Sequence, residues 1–273
     1  MKLRIALILS LSLTRMADAD RDPRPLQAAE QQTFFPLACK RVIAHDENHT
    51  CAAMRDYGDG TPTDLSLDAV AYGAFTKAGA DEAYVTYASS SEPHASNFGG
   101  GILFARKVGA WKLVRWYSGG QMNHCVALPA ESMQRLLCLS GWMGQGEVDS
   151  SVWLKRVAAT NEQDTIAKAE TAILKAQDDR EAGMPGQPNA YQCEMKRGPD
   201  EAILFSIDSL KRSTAPGVLA ESTVTYAMAR DVAAACRAKS LADVKETKGT
   251  VRYRLVGGTV IADMPAKFAK TDY

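Results

Sequence analysis

The sequence predicts a mainly β protein built of antiparallel meander sheets or propeller-like blades, with an N-terminal helical segment and a connecting helix near 160–182. Three observations carry this prediction. Runs of β-branched and aromatic residues follow one another at short spacing from Asp64 to Val157, with turn residues between them. "VRYRLVGGTVIADM", Val251 to Met264, reads as a hairpin folded on Gly257-Gly258. Six cysteines occur in a chain that begins like an exported protein, and there they pair more readily than they bind metal.

The start of the chain sets the compartment. Lys2 and Arg4 precede an apolar run from Ile5 to Leu13, and Ala17-Asp18-Ala19 offers the small-x-small pattern of a signal-peptidase site. Residues 1–19 therefore read as a cleaved secretory leader. The apolar run is far shorter than the roughly 20 residues that cross a bilayer, so no membrane span is expected. The mature protein is expected to be periplasmic or secreted. The whole chain has formal charge zero, which gives it no bulk electrostatic reason to seek nucleic acid or an anionic membrane.

Taken in order, Asp20 to Pro25 is charged and broken by proline, and Leu26 to Arg55 mixes helix formers with aromatic residues. Strands follow as "LSLDAVAYGAF", "EAYVTYA", "GILFARKV", "AWKLVRWY", a hairpin at Cys125 and "SVWLKRV". Thr160 to Glu181 reads as a helix, with Ile166, Ile173 and Leu174 on one side. "GMPGQPN", Gly183 to Asn189, is a breaker-rich linker. Strands resume near Ala202–Ile207, Ser222–Met228 and Val251–Met264, with a short helix around Val232–Ala238. The expected organisation is residues 20–158 as a helical segment plus β unit, 159–190 as helix and linker, and 191–273 as a second, smaller β unit.

Two hairpins have a readable register. Pairing Val256 with Thr259 puts Val251, Tyr253, Leu255, Val260, Ala262 and Met264 on one face and sets Arg252 opposite Asp263 as a salt bridge on the other. A turn at Gly109-Ala110 would place Ala105, Val114, Leu103 and Trp116 on one face, with Ile102, Phe104, Trp111 and Leu113 on the other. Both faces are apolar, which reads as a central hairpin. "EAYVTYA" at Glu82 and "ESTVTYA" at Glu221 agree at five of seven positions, and this hints at two related β units.

The cysteines pair by local logic. "CVALP" and "RLLCL" flank a turn at Ala130–Gln134, so Cys125 faces Cys138 and Ala127 faces Leu136. Cys39 and Cys51 enclose a short polar loop, which leaves Cys193 with Cys236.

Tyr72-Gly73-Ala74-Phe75, Gly79, the strand from Glu82 and Gly99-Gly100-Gly101 leading into another strand give residues 56–118 a rhythm similar to FG-GAP or VCBS β-propeller blades of exported proteins. The resemblance implies twisted antiparallel blades. Asp56, Asp59 and Asp64 are spaced too widely for that family's calcium loop.

"EPHASNFGGG", Glu92 to Gly101, is the stretch most like a site. Read as chemistry, His94 is a general base or metal ligand oriented by Glu92, and His94 and Asn97 are candidate ligand-binding residues. Read as structure, Pro93 ends an extended segment, Ser96-Asn97 turns, and the glycines permit close backbone passage. His45 and His49 in "CKRVIAHDENHTC" would share a helix face and are weak zinc candidates without a third ligand, so no metal and no cofactor is expected. Trp116 is a candidate ligand-stacking residue, although tryptophans in such strands are usually core. No nucleophile elbow, phosphate loop or dinucleotide fingerprint occurs. The sequence thus favours a non-catalytic exported module that binds a protein or a cell-wall glycan. The alternative is a hydrolase or metal-dependent enzyme using His94 with a nearby carboxylate.

Overall fold

The computed structural model describes residues 21–41, 50–55, 60, 62–90, 99–118, 124–129, 133–144, 147–157, 171–178, 193 and 196–268. Its order is β1 (Arg24–Pro25), α1 (Ala28–Ala38), β2 (Thr50–Cys51), β3 (Thr63–Gly73), β4 (Glu82–Ser89), β5 (Gly99–Lys107), β6 (Ala110–Ser118), β7 (Cys125–Ala127), β8 (Arg135–Gly144), β9 (Glu147–Arg156), β10 (Thr171–Asp178), β11 (Ala202–Arg212), β12 (Ala220–Met228), α2 (Ala229–Ala238), a 3₁₀ turn at Leu241–Asp243, β13 (Thr247–Val256) and β14 (Thr259–Asp263).

The strands form three antiparallel sheets. The first runs β1-β3-β4-β5-β6 with β2 also on β3, the second runs β10-β9-β8-β7, and the third runs β11-β12-β13-β14. Each contains a four-stranded meander of successive strands, and the three pack face to face without closing into a propeller. Phe34, Leu67, Val85, Phe104 and Trp116 fill the space between α1 and the first sheet. Tyr84, Leu103 and Tyr117 meet Ala127, Leu136 and Cys138 between the first and second. Val126, Leu137, Val152 and Leu174 meet Ile207, Val224, Val251 and Tyr253 between the second and third. Ile203, Phe205 and Ala227 then pack on Val232 of α2. The order helix, sheet, sheet, sheet, helix follows from the strand sequences, because β4, β5 and β8 carry apolar side chains on both faces and must be covered twice.

The N-terminal segment laces these layers together. Asp22 Oδ1 accepts the Ala127 amide at 2.7 Å, and its carboxylate takes Arg212 Nε at 2.8 Å and Nη2 at 2.6 Å. Arg212 Nη2 also donates to the Ala127 carbonyl at 2.6 Å. Two residues on, Arg24 and Pro25 pair with Val70 and Ala69. A short stretch of chain thereby touches all three sheets.

The connecting helix is a correction. Thr171 to Asp178, inside the span read as helix, is strand β10, paired antiparallel with β9 from Thr171↔Leu154 to Asp178↔Val148. "TAILKAQD" has good helix formers, and propensity alone favours a helix. Pairing overrides it, because Leu174 and Ala176 point into the core shared with the third sheet while Lys175 lies on the opposite face. The linker at Gly183–Asn189 lies outside the described residues, as does the leader.

The hairpins are half as expected. In β13–β14, Val256 pairs with Thr259 and Arg252 with Asp263, and Val251, Tyr253 and Val260 are buried. The ion pairs are displaced by one step: Arg254 grips Asp263, while Arg252 crosses to Glu221 of β12 at 3.1 Å. In β5–β6 the turn is Val108-Gly109, with Lys107 opposite Ala110. A bulge after Phe104↔Leu113 resets the register so that Trp116 opposes Ile102 and joins the α1 side, not the face of Leu103. The hairpin is not central, since β6 ends the first sheet.

The two "VTYA" segments are β4 and β12, each the second strand of its meander. Each follows an 11-residue strand containing a Ser-x-Asp with the serine hydroxyl on the aspartate, Ser66 on Asp68 and Ser206 on Asp208. Beside each aspartate the pairing slips, and the threonine of "VTY" reaches the slip: Thr86 Oγ1 accepts the Ala69 amide at 3.0 Å, and Thr225 Oγ1 donates to Asp208 at 2.9 Å.

Candidate functional site

Three cystines are present, Cys39–Cys51, Cys125–Cys138 and Cys193–Cys236. The second joins directly opposed residues of β7 and β8. None of the six thiols is left for chemistry. Among the described residues no group of His, Cys, Asp and Glu gathers to hold a metal. Glu92, His94 and Asn97, and likewise His45 and His49, lie outside the described residues. His124 is exposed at the start of β7 with φ +56°.

Trp116 is not a stacking platform. It is 6% exposed, its indole N–H donates to the Arg55 carbonyl at 2.7 Å, and its ring meets Tyr87 edge-on at 4.9 Å. At Gly100 a Cβ would sit 1.9 Å from the Tyr117 carbonyl oxygen, and at Gly101 one would meet the Tyr84 hydroxyl. These two glycines are there because a neighbouring backbone and ring pass too close for any side chain. Glu82, 4% exposed, accepts the Phe75 and Thr76 amides at 2.7 and 2.8 Å and the Thr76 hydroxyl, so this buried carboxylate ties down a loop.

A surface aromatic cluster does form, at the end of the first sheet that carries the Val108-Gly109 turn. Tyr72 of β3, Trp111 of β6 and Phe34 of α1 meet there, with ring centroids 6.1 Å apart for Tyr72–Trp111 and 5.4 Å for Phe34–Trp111. The turn brings Arg106 directly opposite Trp111, and its guanidinium lies 4.6 Å from the indole. Arg24 lies 5.8 Å over Tyr72. Trp111 and Tyr72 are half-buried, and Arg106 and Arg24 are 45% and 42% exposed.

The two arginines are held differently. Arg24 makes a two-point bond to Glu30 at 2.7 and 2.8 Å, and Glu30 also accepts the Tyr72 hydroxyl at 2.6 Å and the Gln27 amide at 2.8 Å. The last contact closes the first turn of α1, where a carboxylate is favoured by the amides it faces. The Arg24 guanidinium, with help from the Gln27 amide and the Tyr72 hydroxyl, holds the Glu30 carboxyl down at about 2, against the cost of burial. Burial, reinforced by Glu30, raises the Tyr72 phenol well above its ordinary value. Among the described residues the carboxylate partner of Arg106 is Asp81, at 3.2 Å and 61% exposed, a surface pair of small net strength.

The sequence could have shown part of this. Glycine at the second turn position favours Val108-Gly109 over Gly109-Ala110, and that placement alone pairs Arg106 with Trp111. Arg24 and Tyr72 had no local signal, since strand pairing and α1 bring them together.

No protein-family model, curated protein or solved structure matches the chain. The fold therefore defines the class alone: a mainly β protein whose described residues form three antiparallel sheets and two short helices, stapled by three disulfides. Such staples are typical of an oxidising compartment, and no helix among the described residues is long and apolar enough to cross a membrane.

Proposed function

We propose that this protein is an exported, envelope-associated binding module that performs no reaction of its own, and that it meets its partner at the Tyr72–Trp111 end of the first sheet. The observation behind this reading is the pairing of half-buried aromatic rings with exposed guanidiniums on a surface that α1 and Glu30 hold rigid. Aromatic and arginine side chains are the residue types that contribute most per contact in recognition. A rigid platform also loses little entropy on binding. Arg106 is the group that a partner would engage, because its ion pair to Asp81 is exposed and easily exchanged.

The test is retention of the mature, disulfide-intact protein on a washed cell-envelope fraction. The expected result is sedimentation with the envelope, reduced about tenfold in Trp111→Ala and in Arg106→Gln, a change of about 1.4 kcal/mol. Thermal melting of each variant controls for loss of fold. No sedimentation, or sedimentation indifferent to both substitutions, would overturn the reading.

A further inference from the structure

We infer that the tip of the β5–β6 hairpin docks on the anionic headgroup layer of a lipid bilayer, with Val108 entering the layer and Arg106, Lys107 and Lys112 lying at its phosphates. This inference rests on the binding-module reading and adds to it the class of partner.

The first ground is charge. Residues 99–118 contain Arg106, Lys107, Lys112 and Arg115 and no Asp or Glu, in a chain whose total formal charge is zero. Neutral composition conceals this local excess. The register distributes it around the tip: Arg106 and Trp111 oppose each other on the α1 side, while Lys112 opposes Ala105 and shares the other side with Lys107. Lys107 and Lys112 are exposed, and the nearest carboxylate partner of Arg106 is Asp81, outside the hairpin.

The second ground is Val108 itself. It is 107% exposed at φ +51°, in the left-handed region that β-branched residues avoid. The sister turn of β13–β14 has the same shape and uses glycine there, Gly257 at φ +55°. Asparagine or glycine at position 108 would be less strained and more soluble, so neither folding nor solubility accounts for valine. Strain held at an exposed point is a reason to look for a contact made there.

The third ground is shape. A two-residue turn is convex and small, and a protein partner needs about 800 Å² from each side. A bilayer needs no groove. With about 3.4 Å of rise per residue, Arg106 and Lys112, the latter opposite Ala105, lie roughly 7 and 10 Å behind Val108. When the tip sits about 5–10 Å into the headgroup region, those cations reach the phosphate level. Trp111 is then at the interface, where indoles prefer to be.

The experiment is flotation of the mature, disulfide-intact protein with vesicles of phosphatidylcholine alone and of phosphatidylcholine mixed with phosphatidylglycerol. The expected result is flotation with the anionic vesicles only, weakened by added salt. Each cation is worth about fivefold in partitioning, so Lys107→Gln with Lys112→Gln should reduce it about 25-fold. Val108→Asn should reduce it as well without loss of fold, and Val256→Asn on the sister hairpin should not. No flotation with anionic vesicles overturns the inference. So does binding lost on removing the lysines but untouched by Val108→Asn, which would indicate adsorption by charge alone with no entry of the turn into the layer. Envelope retention without vesicle binding removes only the lipid assignment. Failure of both assays removes the binding-module reading too.

Discussion

The β5–β6 and β13–β14 hairpins turn through nearly the same backbone angles, φ +51° and +79° at Val108-Gly109 against +55° and +80° at Gly257-Gly258, yet they are finished in opposite ways. In the second, cations meet carboxylates of the same sheet, Lys248 with Asp208 included. Its Arg252 and Arg254 are matched by Glu221 and Asp263, its turn is all glycine, and Arg135 Nη1 donates to the Gly258 carbonyl at 2.9 Å, anchoring the tip to the second sheet. The first carries Lys107 and Lys112 with no carboxylate partner among the described residues, a strained valine at its tip and an aromatic pair at its base. Identical geometry with different side chains separates what the fold requires from what it does not. The turn angles and a buried face are common to both, whereas the exposed Lys107 and Lys112 and the turn valine Val108 belong to one.

That comparison can be broken most forcefully at the strand glycines. Gly100→Ala should destabilise by about 3 kcal/mol or more, since the added carbon would strike the Tyr117 backbone oxygen at 1.9 Å. Gly249→Ala in β13 meets ring edges, Tyr226 at 3.1 Å and Phe268 at 3.6 Å, and no backbone, so its cost should stay near the 1 kcal/mol typical of point changes. Urea unfolding with the disulfides intact measures both, and equal effects would show that β5 and β13 tolerate side chains alike.

Next comes the acidic brace under the first hairpin's aromatic base. Glu30 is held at about 2, below its ordinary 4.5, so its contribution is complete above about pH 4.5 and fades as the pH falls towards 2. Glu30→Gln should cost about 1–2 kcal/mol at neutral pH. The penalty should shrink steadily on acidification below pH 4.5 and vanish near pH 2. A penalty constant with pH would mean that packing, not charge, is lost.

A smaller effect, of opposite sign, is expected at the turn. Val108→Asn should stabilise by about 1 kcal/mol, the scale of strain for a side chain in the left-handed region. Gly257→Val should lose a similar amount, so exchanging the two residues should nearly cancel. The smallest effect is at the rim of the second hairpin. Arg254→Gln removes an exposed pair with Asp263 and should leave the melting temperature unchanged. A measurable drop there would show that this hairpin depends on its charge balance for stability.

Much of the first and third sheets was legible because a half-buried strand writes its register in period-two alternation. Val251, Tyr253 and Val260 followed from Gly257-Gly258, and Cys125 opposite Cys138 followed from two short apolar runs. β10 was not legible, because "TAILKAQD" suits a helix when read alone and becomes a strand only when β9 lies beside it. The register beyond Phe104 was hidden by a bulge, and with it the burial of Trp116. The aromatic end of the first sheet was half visible: Arg106 and Trp111 needed only the correct turn, but Arg24 and Glu30 reach Tyr72 through tertiary structure. Asp22 and Arg212 are 190 residues apart, and no spacing rule joins them.

The disulfides have a mechanical consequence. Each closes a loop within a neighbourhood of the chain, with separations of 12, 13 and 43 residues, and none runs from one sheet to another. Under tension applied at its two ends, the stack is thus held across its layers by packed side chains, by the Asp22 lacing and by single bonds such as Arg135 to the Gly258 carbonyl and the Ile207 amide to Ser150. Pulling on the N-terminal side loads the Asp22–Arg212 contact before any cystine. Once that contact yields, the sheets can part with every cystine intact.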